Sequence, residues 1–138
     1  STLNGLAFSI ILGPIDNAQK IIQIHKSFDP SVIERESPGS IRNFTHFSPS
    51  GVAYPEPERI MHNLKKTCMI NDQPVLKHIV YEWVHPFCDG NGRSGRIILA
   101  SDLDYNFDIV NQIIDDSYIP MLKDFMGNTD MTELMQSI

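Results

Sequence analysis

The stretch His85-Pro86-Phe87-Cys88-Asp89-Gly90-Asn91-Gly92-Arg93-Ser94-Gly95-Arg96 holds three glycines, two arginines, one carboxylate and one imidazole. Three readings of its backbone compete. Asp-Gly and Asn-Gly mark hairpin turns when alternating strands flank them. Here Val75, Leu76, Ile79, Val80, Trp83 and Val84 precede it at helical spacing, and Arg93 and Arg96 follow, so a hairpin is disfavoured. Gly90 to Gly95 also matches G-x-G-x-x-G, the dinucleotide fingerprint. That motif needs a strand before it and a βαβ unit around it, and the sequence offers neither.

The third reading uses every residue. A glycine-rich turn opening a helix points unpaired backbone N–H groups outward, backed by the positive end of the helix dipole. Gly90 and Gly92 let such a backbone curl into an anion nest. Arg93 and Arg96 stand three apart, so both guanidiniums project from one side of the helix, and a planar fork suits phosphate oxygens. Asp89 beside a polyphosphate would be repelled by it, but it suits Mg²⁺, which takes one carboxylate together with phosphate oxygens. His85, neutral near pH 7, is the candidate base.

The rest of the chain sets bounds on this site. At 138 residues it fits one domain, 1–138, long enough to bury a core without staples. Net charge is −6 and no Lys or Arg run stands out, which argues against nucleic acid as a partner. No segment approaches the about 18 apolar residues of a membrane span, and no signal peptide opens the chain. Ser1 in place of Met reads as a trimmed protein with flanking regions beyond it. Cys68 and Cys88 make no disulfide framework and read as free thiols of a reducing cytoplasm. A zinc site from His85, Cys88, Cys68 and His78 would lack any CxxC pair.

The periodicity is helical almost throughout. Leu3, Leu6, Ala7, Ile10 and Ile11 predict an amphipathic helix stopped by Gly13-Pro14, and Ala18, Ile21, Ile22, His25 and Phe28 predict a second, stopped at Asp29-Pro30. Residues 30–40 read as loop. Ile41–Phe47 and Val52–Tyr54 around Ser48-Pro49-Ser50-Gly51 predict a solvent-exposed β-hairpin flap. Pro57 opens a helix with Ile60, Met61, Leu64 and Cys68 on one face, and Pro74 opens the next. Ile97 to about Tyr105 reads as a buried helix, and Ile114, Tyr118, Met121, Leu122 and Phe125 as one last segment. Met121 and Met126 read as core filler. The expected fold class is mainly α, a compact helical domain with one hairpin.

His85-Pro86-Phe87-x-Asp89-Gly90-Asn91-Gly92-Arg93-x-x-Arg96 resembles the Fic family motif at every specified position. His78-x-x-Tyr81-Glu82-x-Val84 looks like the helix that leads into that motif, and Pro38-Gly39-x-Ile41-Arg42 is similar to the family's approach to its flap, so the resemblance covers about residues 15–125. It implies a Fic-type helical fold with a β-hairpin flap and protein AMPylation, the transfer of AMP from Mg²⁺-ATP to a Ser, Thr or Tyr hydroxyl with release of pyrophosphate. Carried onto this chain, it implies that His85 takes the proton of the target hydroxyl. Asp89 would hold Mg²⁺ on the α- and β-phosphates. Asn91 and the backbone of Gly90 and Gly92 would hold the α-phosphate, and Arg93 and Arg96 the leaving β/γ side. Phe87 would anchor the loop, and Cys88 fills the variable position.

The resemblance also implies partners: ATP, a target protein docking along the flap at about 41–54, and a regulatory segment or antitoxin-like partner outside the chain. The place would be the cytoplasm, or a host cell reached from it. Doc-like relatives, which transfer phosphate, depart from G-N-G-R and lack the second arginine, both intact here; a non-catalytic nucleotide-binding module or half of a toxin–antitoxin pair are the readings outside enzymes. Many relatives carry an inhibitory Ser/Thr-x-x-x-Glu-Gly/Asn helix. Thr129 to Leu134 has the spacing but ends in Leu134, and Asp130-x-x-Glu133 reads instead as a capping box. Leu3-Asn4-Gly5 is similar to the tail of that helix, but Asn4 supplies no carboxylate.

Overall fold

The computed structural model describes residues 3–28 and 37–138. Among them are eight α-helices: α1 (Leu3–Leu12), α2 (Ala18–Lys26), α3 (Ile60–Cys68), α4 (Pro74–Val84), α5 (Asn91–Asp102), α6 (Phe107–Ile113), α7 (Tyr118–Asn128) and α8 (Met131–Gln136). A 3₁₀ turn, Pro57–Arg59, leads into α3. The mainly α expectation holds. The loop expected over 30–40 lies, as far as residue 36, outside the described residues.

Local chemistry explains the boundaries. The Asn17 side chain accepts from the Lys20 N–H at 3.0 Å and caps α2, while Pro57 and Pro74 occupy first helical positions where a missing N–H costs nothing. Gly13 after α1 has φ +72°, as the predicted stop required. The segment expected from Ile114 to Phe125 is helical only from Tyr118, as α7; Ile114 caps the end of α6, and the Asp115 carboxylate accepts from both the N–H and the hydroxyl of Ser117 (2.9 and 2.6 Å) and turns the chain between the two helices.

The core runs through α2, α3, α4 and α5, around Ile21, Ile24, Leu64, Val80, Val84 and Ile98. The helices pair α4 on α5 and α1 on both α2 and α5. At α1 the expected face is wrong. Gly5 and Ser9 are the buried positions, while Leu3, Ile10 and Ile11 are 69%, 59% and 79% exposed. A Cβ at Gly5 would stand 2.4 Å from the Phe28 ring, so α1 approaches through its smallest residues and not through its largest. Met121 likewise faces outward, whereas Met126 packs, partly buried, against the core as expected, and Met131 and Met135 of α8 are buried within it.

The expected β-hairpin is corrected. Among the described residues no strand forms, and pairing is limited to isolated bridges, Phe47 with Ala53 and Ile41 with Phe87. A tight turn is present at Ser48–Gly51: the Ser48 N–H donates to Val52 O (2.8 Å), the Gly51 N–H to Ser48 O (2.9 Å) and the Tyr54 N–H to His46 O (3.1 Å). The pairing goes no further for physical reasons. Phe44 and Phe47 are exposed, one face is only partly buried through Ile41, Val52 and Tyr54, and Pro49 and Pro55 lack donors. Residues 41–54 are an ordered loop held by other means.

Candidate active site

α4 ends at His85, whose φ of 49° is left-handed, an unusual conformation for a residue with a Cβ. Arg42 holds it there. This side chain is 1% exposed and its guanidinium donates to four carbonyls: Nε to His85 O (2.6 Å), one terminal nitrogen to Phe44 O (2.9 Å), the other to Pro55 O (2.5 Å) and Val84 O (3.2 Å). Its own N–H donates to Pro86 O at 2.9 Å. One buried cation thus ties both ends of the loop to the turn that presents His85.

His25 performs the same service for the next residues. Its Nδ1 accepts from the Gly39 N–H (2.7 Å), so Nε2 carries the proton and donates to Asp89 O (2.8 Å). The ring stacks on Phe87 at 3.7 Å and 7°, and burial lowers its pKa, keeping it neutral. Phe87 is fully buried. Asn91 closes the loop: its Oδ1 accepts from the Phe87 N–H (2.9 Å) and its Nδ2 donates to Phe87 O (2.7 Å). The Asn91 carboxamide is therefore a brace inside the loop, 5% exposed.

Gly90 caps α5 with φ 82°, the left-handed turn that a nest requires. Gly92 is helical and a Cβ there would meet nothing within 4 Å, so this position borders open space. The first intrahelical bond is Ser94 N–H to Gly90 O at 2.9 Å, which leaves the turn before it as a donor-rich helix start. Ser94 also donates from Oγ to Gly90 O and meets the buried Tyr81 hydroxyl, joining α5 to α4. Gly95 is needed for a different reason: a Cβ would lie 2.1 Å from Oε1 of Glu82.

All seven predicted residues, His85, Asp89, Gly90, Asn91, Gly92, Arg93 and Arg96, fall on this turn, loop and helix start. Three of them line cavities, and His85 and the two arginines line different ones. His85 lines one of about 160 Å³ with Tyr54, Val52, Glu82, Ile119 and Leu122. Arg93 and Arg96, both exposed, line another of about 200 Å³ with Leu3, Leu6 and Phe107.

Burial first, then the charges of His46 and Arg42, lower the His85 pKa to about 4, against a hydrogen bond to the Glu82 carbonyl that raises it. At neutral pH His85 is therefore an unprotonated imidazole. Glu82 is the opposite case: burial pushes its carboxyl up to about 8 despite nearby Arg96, and its Oε1 has no hydrogen-bond partner. Beside it His78 donates from Nδ1 to Gly95 O (3.0 Å) and accepts the Tyr118 hydroxyl on Nε2.

No group of three or more His, Cys, Asp or Glu able to hold a metal converges among the described residues, so His85, Cys88, Cys68 and His78 form no zinc site. A lone carboxylate, Asp89, next to a helix N-terminus and two arginines fits Mg²⁺ shared with phosphate oxygens. His25, Arg42 and the loop aromatics His46 and Tyr54 had no functional signal beyond the likeness around Arg42. Arg42 reaches His85 across 43 residues and His25 reaches Asp89 across 64, and no local pattern reports such distances.

A neutral imidazole at the end of one helix and a glycine-opened, donor-rich start on the next thus stand together in a mainly α domain. The chain belongs to the Fic/DOC family, whose model matches residues 14–101 and whose members are mostly transferases. No match was found among curated proteins. Membership implies nucleotidyl- or phosphotransferase-type activity. Among the described residues no helix is long and apolar enough to cross a membrane.

Proposed function

We propose that this chain transfers AMP from ATP to a hydroxyl of a target protein. The observation that carries the reading is His85, neutral and half-buried at the end of α4, six residues ahead of Asn91, where the donor-rich start of α5 begins. The target oxygen attacks the α-phosphorus while His85 takes its proton. The bond to the bridging oxygen breaks and pyrophosphate leaves. Backbone N–H groups at Asn91 and Gly92 stabilise charge gathering on the α-phosphate, with Asn91 fixing the loop that presents them. Arg93 and Arg96 hold the departing side.

Asp89 would hold Mg²⁺, which when bound neutralises phosphate charge. The apolar cavity beside His85 offers room for part of a nucleoside. The target segment docks along 41–54, where Phe44 and Phe47 are exposed on the loop that closes over His85.

Phosphate transfer is the second reading, favoured only by membership in a family that includes it. ATP labelled at the α- or the γ-phosphate separates them: label on protein from α-labelled ATP supports AMP transfer, and label from γ-labelled ATP alone overturns it. His85→Ala should lower transfer by about 10²–10⁴-fold, as loss of a general base does, with ATP affinity retained in an equilibrium binding measurement. Loss of ATP binding would remove the base assignment.

A further inference from the structure

The backbone of His85 is pinned by Arg42, yet its side chain retains two rotatable bonds, and a base acts only when its free nitrogen points at the incoming proton. The loop supplies the missing restraint. Tyr54 stacks on the His85 ring at 4.2 Å between centroids and 5° between planes. His46 stacks on it at 4.9 Å and 24°, and on Tyr54 at 5.4 Å and 29°. The Phe44 ring meets His46 edge-on at 5.6 Å.

Pairing explains how two residues eight apart reach one ring. The Tyr54 N–H donates to His46 O, which sets these residues opposite each other next to the Phe47–Ala53 bridge. Directly opposed residues put their side chains on the same side. Trp83 Nε1 donates to Ala53 O (3.2 Å) and Arg42 grips Phe44 O and Pro55 O, so the pair is seated on α4 and not left to swing. The hydroxyl of Tyr54 has no part in this contact; the ring face does.

We propose that His46 and Tyr54 are positioning residues that clamp the His85 ring between the loop and the end of α4, so that the seated loop 41–54 sets the direction of its proton-accepting nitrogen. The proposal rests on the reading of His85 as the base, and it makes the target-facing loop part of the apparatus that aims that base. Stacked aromatic pairs favour this parallel arrangement of the ring over its other rotamers.

Two measurements on the chain test it. The first is self-labelling with α-labelled ATP by Tyr54→Ala, His46→Ala, Tyr54→Phe and His46→Phe. Tyr54→Ala should lower the rate at saturating ATP by about tenfold or more with the half-saturating ATP concentration unchanged, and Tyr54→Phe should restore most of the loss, since it keeps the ring face. His46→Ala and His46→Phe should behave as the weaker pair of the same kind. A Tyr54→Ala variant with full rate, or a Tyr54→Phe variant as slow as Tyr54→Ala, overturns the clamp. The second is NMR of the His85 ring protons without nucleotide. Stacking shifts them upfield, and Tyr54→Ala should move them back towards a free histidine while Tyr54→Phe does not; unmoved resonances overturn the clamp even if labelling falls. This second measurement needs no transfer, so a chain that transfers phosphate or nothing leaves the clamp standing or falling on its own.

Discussion

At the scale of single residues, the site depends on groups whose surroundings leave them one role each. Asn91 lies in the glycine-rich motif, yet both ends of its carboxamide are turned inward on Phe87, so it acts by fixing the shape of the loop. Gly95 is the counterpart on the other side of α5. It has ordinary helical geometry, and its need for a bare Cα comes from Glu82 Oε1, 2.1 Å from where a Cβ would stand. That carboxylate is buried against His78, 3.7 Å away, with little room to retreat. Gly95→Ala should therefore destabilise the fold by about 1–3 kcal/mol, the cost of overpacking, and lower the melting temperature by several degrees. An unchanged melting temperature would mean that Glu82 moves freely.

At the scale of elements, the loop 41–54 is built around Arg42. Arg42→Ala strips four carbonyls of a donor in a buried place, and the two that remain dry after relaxation suffice for a loss of about 2–4 kcal/mol. Denaturant unfolding measures it; a loss under 1 kcal/mol would show that water replaces the guanidinium. α8 is the other informative element. Asp130 accepts the Glu133 N–H at 3.0 Å, which bears out the capping reading, and α8 packs through Met131 and Met135, with Lys66 Nζ donating to Met135 O (2.8 Å). Glu133 itself is exposed. Glu133→Gly should leave the labelling rate within a factor of two, while a tenfold gain, equivalent to about 1.4 kcal/mol, would make Glu133 an inhibitor of Arg96. How much the sequence disclosed follows from the range of the forces involved. The anion loop was legible because its chemistry lies in consecutive residues, and α4 because six apolar positions repeat at one period. The face of α1 was misread because Gly5 and Ser9 pack by being small, which hydropathy does not register. The clasp of His25 and Arg42 joins elements far apart in the chain, and residues 41–54 looked like a hairpin because turn signals do not report whether a buried face will extend the pairing.

At the scale of the whole molecule, α4 and α5 place unlike titrating groups side by side, and their opposed shifts fix the pH at which the fold is most stable. His78 and His85 are lowered to about 4 by burial, below an ordinary 6.5. Below pH 6.5 the unfolded chain binds protons that the folded chain refuses, so their contribution is present above 6.5 and is lost as pH falls towards 4. Glu82 is raised to about 8 from an ordinary 4.5. Its contribution is full below 4.5 and disappears as pH rises to 8, because the unfolded chain ionises where the folded chain stays protonated. Between 4.5 and 6.5 His78 and His85, joined by His25, which burial also lowers, outnumber the glutamate and stability rises with pH. Between 6.5 and 8 Glu82 acts with little opposition from them and stability falls. Unfolding free energy measured from pH 4.5 to 8.5 should therefore peak near 6.5. Glu82→Gln, which cannot ionise, should flatten the fall above 6.5 and leave the rise below it steeper. A wild-type curve that keeps rising from 6.5 to 8 would show that Glu82 is ionised in the folded chain, with Arg96 close enough to outweigh its burial.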